Sequence, residues 1–126
     1  MEQRLVNFSI FSSHPEELKR FLSEVLSLDI VTGPGLFRVE LADMSIDVYF
    51  GDSAPMQFTW HLEQELWQNL GSRWEFFRFR YAEGQPTRED FFDGTRFVTP
   101  DGHCWFMQFS QLVVKNEKPS ISVRNC

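Results

Sequence analysis

Cysteine and positive charge are scarce in this chain of 126 residues, and each shortage excludes a class of protein. Only Cys104 and Cys126 are present, so we expect no structural disulfide and a reducing cytoplasm as the compartment. The formal net charge is −6, and the 12 Lys and Arg residues form neither a run nor a one-sided cluster. We therefore expect no nucleic-acid partner.

Long apolar runs are also missing. No stretch approaches the roughly 18 apolar residues that a membrane-spanning helix requires. The first ten residues, MEQRLVNFSI, lack the basic and then apolar pattern of a secretory signal. We therefore expect no membrane partner.

Aromatic residues, in contrast, are abundant. The chain contains 14 Phe, 4 Trp and 2 Tyr, which together make 16 % of its residues. Its length suits one domain with a substantial core, and aromatic rings bury large areas there. Rings beyond the needs of such a core can line a ligand pocket or a subunit interface.

A short pattern occurs twice. NFSI begins at Asn7 and QFTW begins at Gln57, fifty positions later, and each reads amide, Phe, hydroxyl, bulky apolar. A helical pattern containing Glu-Leu follows both copies. We interpret the chain as a duplication inside one domain of residues 1–126. The predicted parts are a first module over 4–53, a second module over 54–112 and a mobile tail over 113–126.

Each half is predicted to run strand, helix, then further strands. In the first half, LVNFSIFSS alternates as a strand, an apolar stripe predicts a helix over about 14–27, and a hairpin turns at Ala42-Asp43-Met44. In the second half, MQFTWHL is predicted as a strand, followed by a short helix that ends near Gly71. EFFRFRYA is predicted as a strand, residues 83–94 as a polar loop that could act as a lid, and two strands flank Pro100-Asp101-Gly102.

A duplicated βαβββ unit that closes with Pro-Asp-Gly-His resembles the vicinal oxygen chelate superfamily. That superfamily includes glyoxalase I, bleomycin-resistance proteins, fosfomycin-resistance enzymes and extradiol dioxygenases. TPDGHCWFMQF and the entry LVNFSIFSSHPEELKRFLSEVLSLDIV carry the resemblance. It implies an α+β fold in which two βαβββ modules form a curled mixed sheet around a cleft. It also implies a homodimer, because small members of the superfamily usually dimerise.

The resemblance further implies four metal-ligand positions, which are His or acidic residues in metal-dependent members. Here they fall on Asn7, Asp47, Gln57 and Phe106. A neutral amide oxygen is a poor donor to a transition metal, and a phenyl ring is none. We therefore predict no metal cofactor and no catalytic residue of the family type.

Strand alternation divides the side chains between two faces. The following are predicted to pack beneath the helices: Phe8, Ile10, Phe37, Val39, Ile46, Val48, Phe58, Trp60, Trp105 and Met107. The cleft face supplies the predicted ligand-binding residues: Asn7, Arg38, Glu40, Asp47, Tyr49, Gln57, His61, Arg78, Arg80 and Phe106.

These residues suggest specific roles. Tyr49 and Phe106 could sandwich a flat or cationic ligand, and a carboxylate such as Asp47 could neutralise a positive group. Arg78 or Arg80 could bind a ligand carboxylate. The alternative interpretation is a solvated face with ion pairs of little energetic value.

Three functions remain open. The first is a non-catalytic protein, similar to the bleomycin-resistance branch, that binds a small organic molecule such as a drug. The second is a metal-dependent lyase, isomerase, transferase or dioxygenase with displaced ligands, using Asp47, His61 and Glu40. The third is an interaction or structural dimer whose cleft is closed by Tyr49 and Phe106.

Overall fold

The structure is a computed structural model that describes residues 6–41, 44–52, 54–62, 64–81, 86–109 and 120–125. Its elements in chain order are β1 (Val6–Ser12), α1 (Pro15–Glu24), β2 (Asp29–Gly33), β3 (Leu36–Glu40), β4 (Met44–Phe50), β5 (Met56–Leu62), α2 (Gln64–Arg80), β6 (Thr87–Phe91), β7 (Gly94–Val98), β8 (Cys104–Phe109) and β9 (Ser120–Asn125).

Each half of the chain builds its own sheet with the same strand order. The first sheet runs β1-β4-β3-β2, and the second runs β6-β7-β8-β5 with β9 added beyond β5. In both, the first strand of the half lies parallel to the last strand of the βαβββ unit, and the other pairs are antiparallel. The α+β fold of two βαβββ modules predicted from the sequence is confirmed.

One hydrophobic core joins the two sheets, because α1 contacts both of them. The Phe21 ring lies 5.1 Å from Phe97 of β7 and 6.3 Å from Trp105 of β8, while α1 also packs on β2 and β4. The side chains predicted to face inward are buried, with the exception of Phe8, which is 36 % exposed.

The Pro-Asp-Gly-His turn ties the second half to the first. His103 is buried, its Nδ1 accepts a hydrogen bond from the Met56 amide at 3.0 Å, and its Nε2 donates to the Phe11 carbonyl at 2.7 Å. Asp101 accepts a hydrogen bond from the Ser12 hydroxyl at 2.5 Å. This histidine therefore has a structural role that connects the start of β5 to the end of β1.

The strand predicted for EFFRFRYA is wrong, because this stretch belongs to α2. The apolar residues from position 70 to 81 follow two periods at once. Phe77 and Phe79 alternate with Arg in the manner of a strand, yet Leu70, Trp74, Phe77 and Tyr81 recur at helical spacing. The helical stripe is the one that packs, since Leu70, Trp74 and Phe77 are buried and Phe79 is exposed. Gly71 lies inside the helix and does not end it.

Two predicted irregular segments contain strands. The described part of the 83–94 segment is the β6–β7 hairpin, so a polar loop is wrong there. The tail predicted as mobile over 113–126 contains β9, which pairs with β5. The turn residues 42 and 43, residues 82–85, residues 110–119 and Cys126 lie outside the described residues. Neither of the two described helices is long and apolar enough to cross a membrane.

Candidate functional site

A cavity of about 480 Å³ opens on the face of the second sheet that points away from the core. Its wall is made by side chains of β5, β8 and the β6–β7 hairpin that alternate with buried ones. The lining residues are Gln57, Thr59, His61, Phe91, Asp93, Arg96, Phe106 and Gln108. Three of the predicted site residues, Gln57, His61 and Phe106, therefore share this cavity.

Two phenyl rings form the apolar wall of the cavity. The Phe91 and Phe106 rings stand 6.0 Å apart at 61° in an edge-to-face arrangement, which the ring quadrupoles favour. Gly94 makes this placement possible: a Cβ there would lie 3.1 Å from Phe106 Cζ and 2.3 Å from the Met107 carbonyl oxygen. The glycine thus lets the Phe106 ring extend across β7 toward Phe91.

Polar groups surround the rings. The Arg96 guanidinium pairs with Glu89 at 2.9 Å and lies 5.7 Å from the centre of the Phe91 ring. The Gln108 amide donates to Asp93 over a long 3.4 Å. The cavity therefore offers one cation, one carboxylate, two side-chain amides, a hydroxyl and an imidazole to a ligand.

The outer face of the first sheet carries a closed polar network. Arg38 donates from Nε and Nη2 to the two carboxylate oxygens of Asp47, at 2.7 and 3.1 Å. The Asn7 amide donates to Asp47 at 3.2 Å and to Ser45 at 2.7 Å. The hydrogen bonds from Arg38 hold the pKa of the Asp47 carboxyl below its usual range, although burial opposes this shift. Asp47 is thus already neutralised within the chain.

Five predicted site residues share this first face and not the cavity: Asn7, Arg38, Glu40, Asp47 and Tyr49. Glu40 is exposed, and the Tyr49 ring lies 5.7 Å from Phe11. Phe106 lines the cavity, whereas Tyr49 lies on the first sheet and is not among the lining residues. The two rings predicted to sandwich a ligand or to close the cleft therefore do not meet in this cavity.

Arg78 and Arg80 do not face either surface, because they lie in the last turn of α2. Arg78 pairs with Glu75 at 2.9 Å, and Arg80 pairs with Glu24 of α1 at 3.0 Å. Tyr81 donates to the same Glu24 at 2.5 Å, and this hydrogen bond raises the pKa of the Tyr81 hydroxyl. Placing the two arginines on a cleft-facing strand was wrong because the helix was misassigned.

Five lining residues are absent from the predicted site. Thr59 and Gln108 lie on strands that were predicted, whereas Phe91, Asp93 and Arg96 belong to the β6–β7 hairpin, whose segment was interpreted as a loop up to position 94. A signal was present, since Asp93-Gly94 is a turn dipeptide and stands between two stretches that alternate like strands. That signal places Phe91 and Arg96 on one face through the pairs Phe91–Gly94 and Glu89–Arg96.

The donor set does not fit the metal that the resemblance implies. Of the four implied positions, Asn7 and Asp47 lie on the first sheet, whereas Gln57 and Phe106 lie on the second. The one carboxylate is engaged by a guanidinium, and Phe106 offers no donor atom. Within the described ranges, no three His, Cys, Asp or Glu side chains are grouped as metal ligands.

Comparison with known protein families and with curated protein sequences gives no match. Solved structures match the fold closely. Oxidase ChaP-H2 is 19 % identical over 87 % of this chain and 95 % of its own, with a TM-score of 0.65. Fosfomycin resistance protein FosX from Mesorhizobium loti is 13 % identical over 89 % of this chain and 96 % of its own, with a TM-score of 0.64.

Lactoylglutathione lyase from Agrobacterium tumefaciens is a third example, 10 % identical over 88 % of this chain and 96 % of its own, with a TM-score of 0.62. Such low identities establish the fold alone. The glyoxalase/bleomycin-resistance-like fold that the resemblance implies is therefore confirmed.

Proposed function

We propose that this protein binds a small organic molecule, with an aromatic or cationic group, in the cavity of the second sheet and does not transform it. The observation that carries the proposal is the cavity itself. Its volume of about 480 Å³ lies within the range of small-molecule sites, and it combines a two-ring wall with a few convergent polar groups.

Among the residues that the structure describes, no acid–base pair is assembled at the cavity, and this supports a binding role. His61 is the only imidazole on the cavity wall, and no hydrogen bond joins its ring to another described residue. Catalytic imidazoles are normally oriented by a third group that fixes the tautomer and ring position. The carboxylates Asp47 and Glu40, predicted as partners of His61 in an enzyme, lie on the other sheet.

Calorimetric titration with a panel of flat aromatic and cationic compounds tests the proposal. Phe106→Ala should weaken binding of any ligand found by about tenfold, because it removes one ring of the wall. Phe79→Ala is the matched control, since Phe79 is 93 % exposed on α2 and distant from the wall residues in sequence and element. Equal losses in both variants, or a panel without any ligand, would contradict the proposal.

A metal-dependent enzyme is the second candidate, and the comparisons favour it, because two structures of this fold are described as an oxidase and a lyase. Elemental analysis of protein purified without a metal-chelating tag separates the two candidates. Stoichiometric Ni, Zn, Mn or Fe would favour the enzyme, and His61→Ala would then be the first variant to assay.

We further propose that the protein is a homodimer in the cytoplasm. Exposed aromatic side chains on and beside β1 support an interface there, namely Phe8, Phe11 and Phe50. The outer edge of β1 pairs with no other described strand, and unpaired edges are ready templates for association. Light scattering tests this point: a monomer at micromolar concentration would overturn it.

A further inference from the structure

We infer that the cavity selects for positive charge on its ligand, and that Asp93 is the residue that sets this preference. The inference rests on the proposed function, because it concerns the same cavity. Two charged side chains of the described residues line the wall, Arg96 and Asp93, and they differ in how far the protein itself neutralises them.

The positive charge of Arg96 is already compensated. Its Nη2 lies 2.9 Å from Glu89 Oε2, and these two residues are direct cross-strand neighbours in the β6–β7 hairpin. The guanidinium also lies over the Phe91 ring, where the quadrupole attracts a cation. A ligand carboxylate would have to compete with both contacts, and the guanidinium Nε, which has no hydrogen-bond partner among the described residues, is buried. Arg96 is therefore a weak anion receptor.

The negative charge of Asp93 is not compensated in this way. Its only hydrogen bond among the described residues is the 3.4 Å one from the Gln108 amide, and no described Lys or Arg pairs with it. Asp93 is half-buried at the hairpin turn, next to Gly94, across which the Phe106 ring extends. A flat cation stacked on Phe106 can therefore place its charge near the Asp93 carboxylate.

The net charge of the whole chain acts in the same direction. At −6, it raises the local concentration of cations and repels anions, an effect that salt screens. The inference therefore predicts an order of affinity for rings of the same shape: cation first, neutral compound second, anion last.

Three acridines of closely similar shape test this order by titration at slightly alkaline pH: N-methylacridinium as the cation, acridine as the neutral compound and acridine-9-carboxylate as the anion. In the unaltered protein, N-methylacridinium should bind about fivefold more tightly than acridine, the value of a partly exposed charge pair. Asp93→Asn should remove most of this difference, and the small remainder, which comes from the net charge of the chain, should disappear at high salt. Asn is also a favoured turn residue, so the hairpin is retained.

Arg96→Gln is the matched control, because it removes the other charged group of the wall. It should not reduce the preference for the cation. Equal affinities for the cation and neutral acridine, the tightest binding for the carboxylate, or a cation preference that Asp93→Asn leaves undiminished would overturn the inference and leave the proposed binding function standing. Failure of all three acridines to bind would count against both.

Discussion

The two halves of the molecule carry an arginine at the same place and use it differently. One row of paired residues crosses each sheet. In the first sheet the row is Val31, Arg38, Asp47 and Ser9; in the second it is Glu89, Arg96, Phe106 and Thr59. The acid lies on the central strand in the first half and on the edge strand in the second.

The position of the acid decides where the arginine points. Arg38 is drawn to the centre of its sheet by Asp47, and the network of these two residues with Asn7 fills the polar face. Arg96 is drawn to the edge by Glu89, and a phenyl ring takes the central position. The same backbone therefore presents a neutralised polar surface in one half and a ring-lined cavity in the other.

Two residues further along each strand, the paired side chains differ in size between the sheets. Leu36 pairs with Tyr49 in the first sheet, and Gly94 pairs with Gln108 at the equivalent place in the second. Gly94→Ala should lower the stability of the folded protein strongly, because the new Cβ would lie 2.3 Å from the Met107 carbonyl oxygen. We expect a loss of about 3 kcal/mol in the free energy of unfolding, measured by urea denaturation.

Gly71→Ala is the control for this substitution. Nothing lies within 4 Å of the Cβ that it would add, and Gly71 is inside α2. We expect it to be neutral or to stabilise by about 0.5–1 kcal/mol. A Gly94→Ala protein as stable as the Gly71→Ala protein would show that β7 and β8 separate easily, contrary to the packing described.

A hydrogen bond connects the two halves, and the second half supplies its side chain. His103 of the second half donates from Nε2 to the Phe11 carbonyl of the first. His103→Ala leaves that carbonyl and the Met56 amide without their partner in a buried place. We expect a loss of about 2 kcal/mol in a single cooperative unfolding transition. His14→Ala, an exposed histidine, should change stability by less than about 0.5 kcal/mol, and an equal effect of both would refute the connecting role.

Much of the fold was predictable because its signals are local. The equivalence of Asn7 with Gln57 and of Asp47 with Phe106 follows from alternation and element order, and the strand registers agree with it. Burial of the α1 stripe was equally accessible, since Leu18, Phe21 and Leu22 recur at helical spacing. The predicted hairpin of the first half is also present as β3 and β4.

The candidate site was less predictable because it depends on the exact register of the paired strands. No local pattern in the sequence shows that Asp47 is opposite Arg38 or that Phe106 is opposite Arg96; cross-strand register decides both. The misassigned α2 then placed Arg78 and Arg80 on a face that they never reach. The interpretation of residues 83–94 as a polar loop separately concealed β6, and with it the place of Phe91, Asp93 and Arg96 in the cavity wall.

The smallest expected effect tests the neutralised face itself. The pKa of Asp47 is lowered from its ordinary value of 3.8, chiefly by the hydrogen bonds from Arg38. A carboxyl with a lowered pKa in the folded state stabilises the protein above the ordinary value, and this contribution is lost as the pH falls through the folded pKa. The stability advantage of the native chain over Asp47→Asn should therefore shrink as the pH falls below about 3.8.

Urea unfolding of both proteins across this range measures the change, which should be small because the Arg38 side chain is 48 % exposed and screened by water. Asp52→Asn, which removes an exposed carboxylate of the same half, is the control. An advantage that stays constant with pH would mean that Asp47 titrates like an isolated aspartate, and the first face would then be as open to a ligand cation as the second.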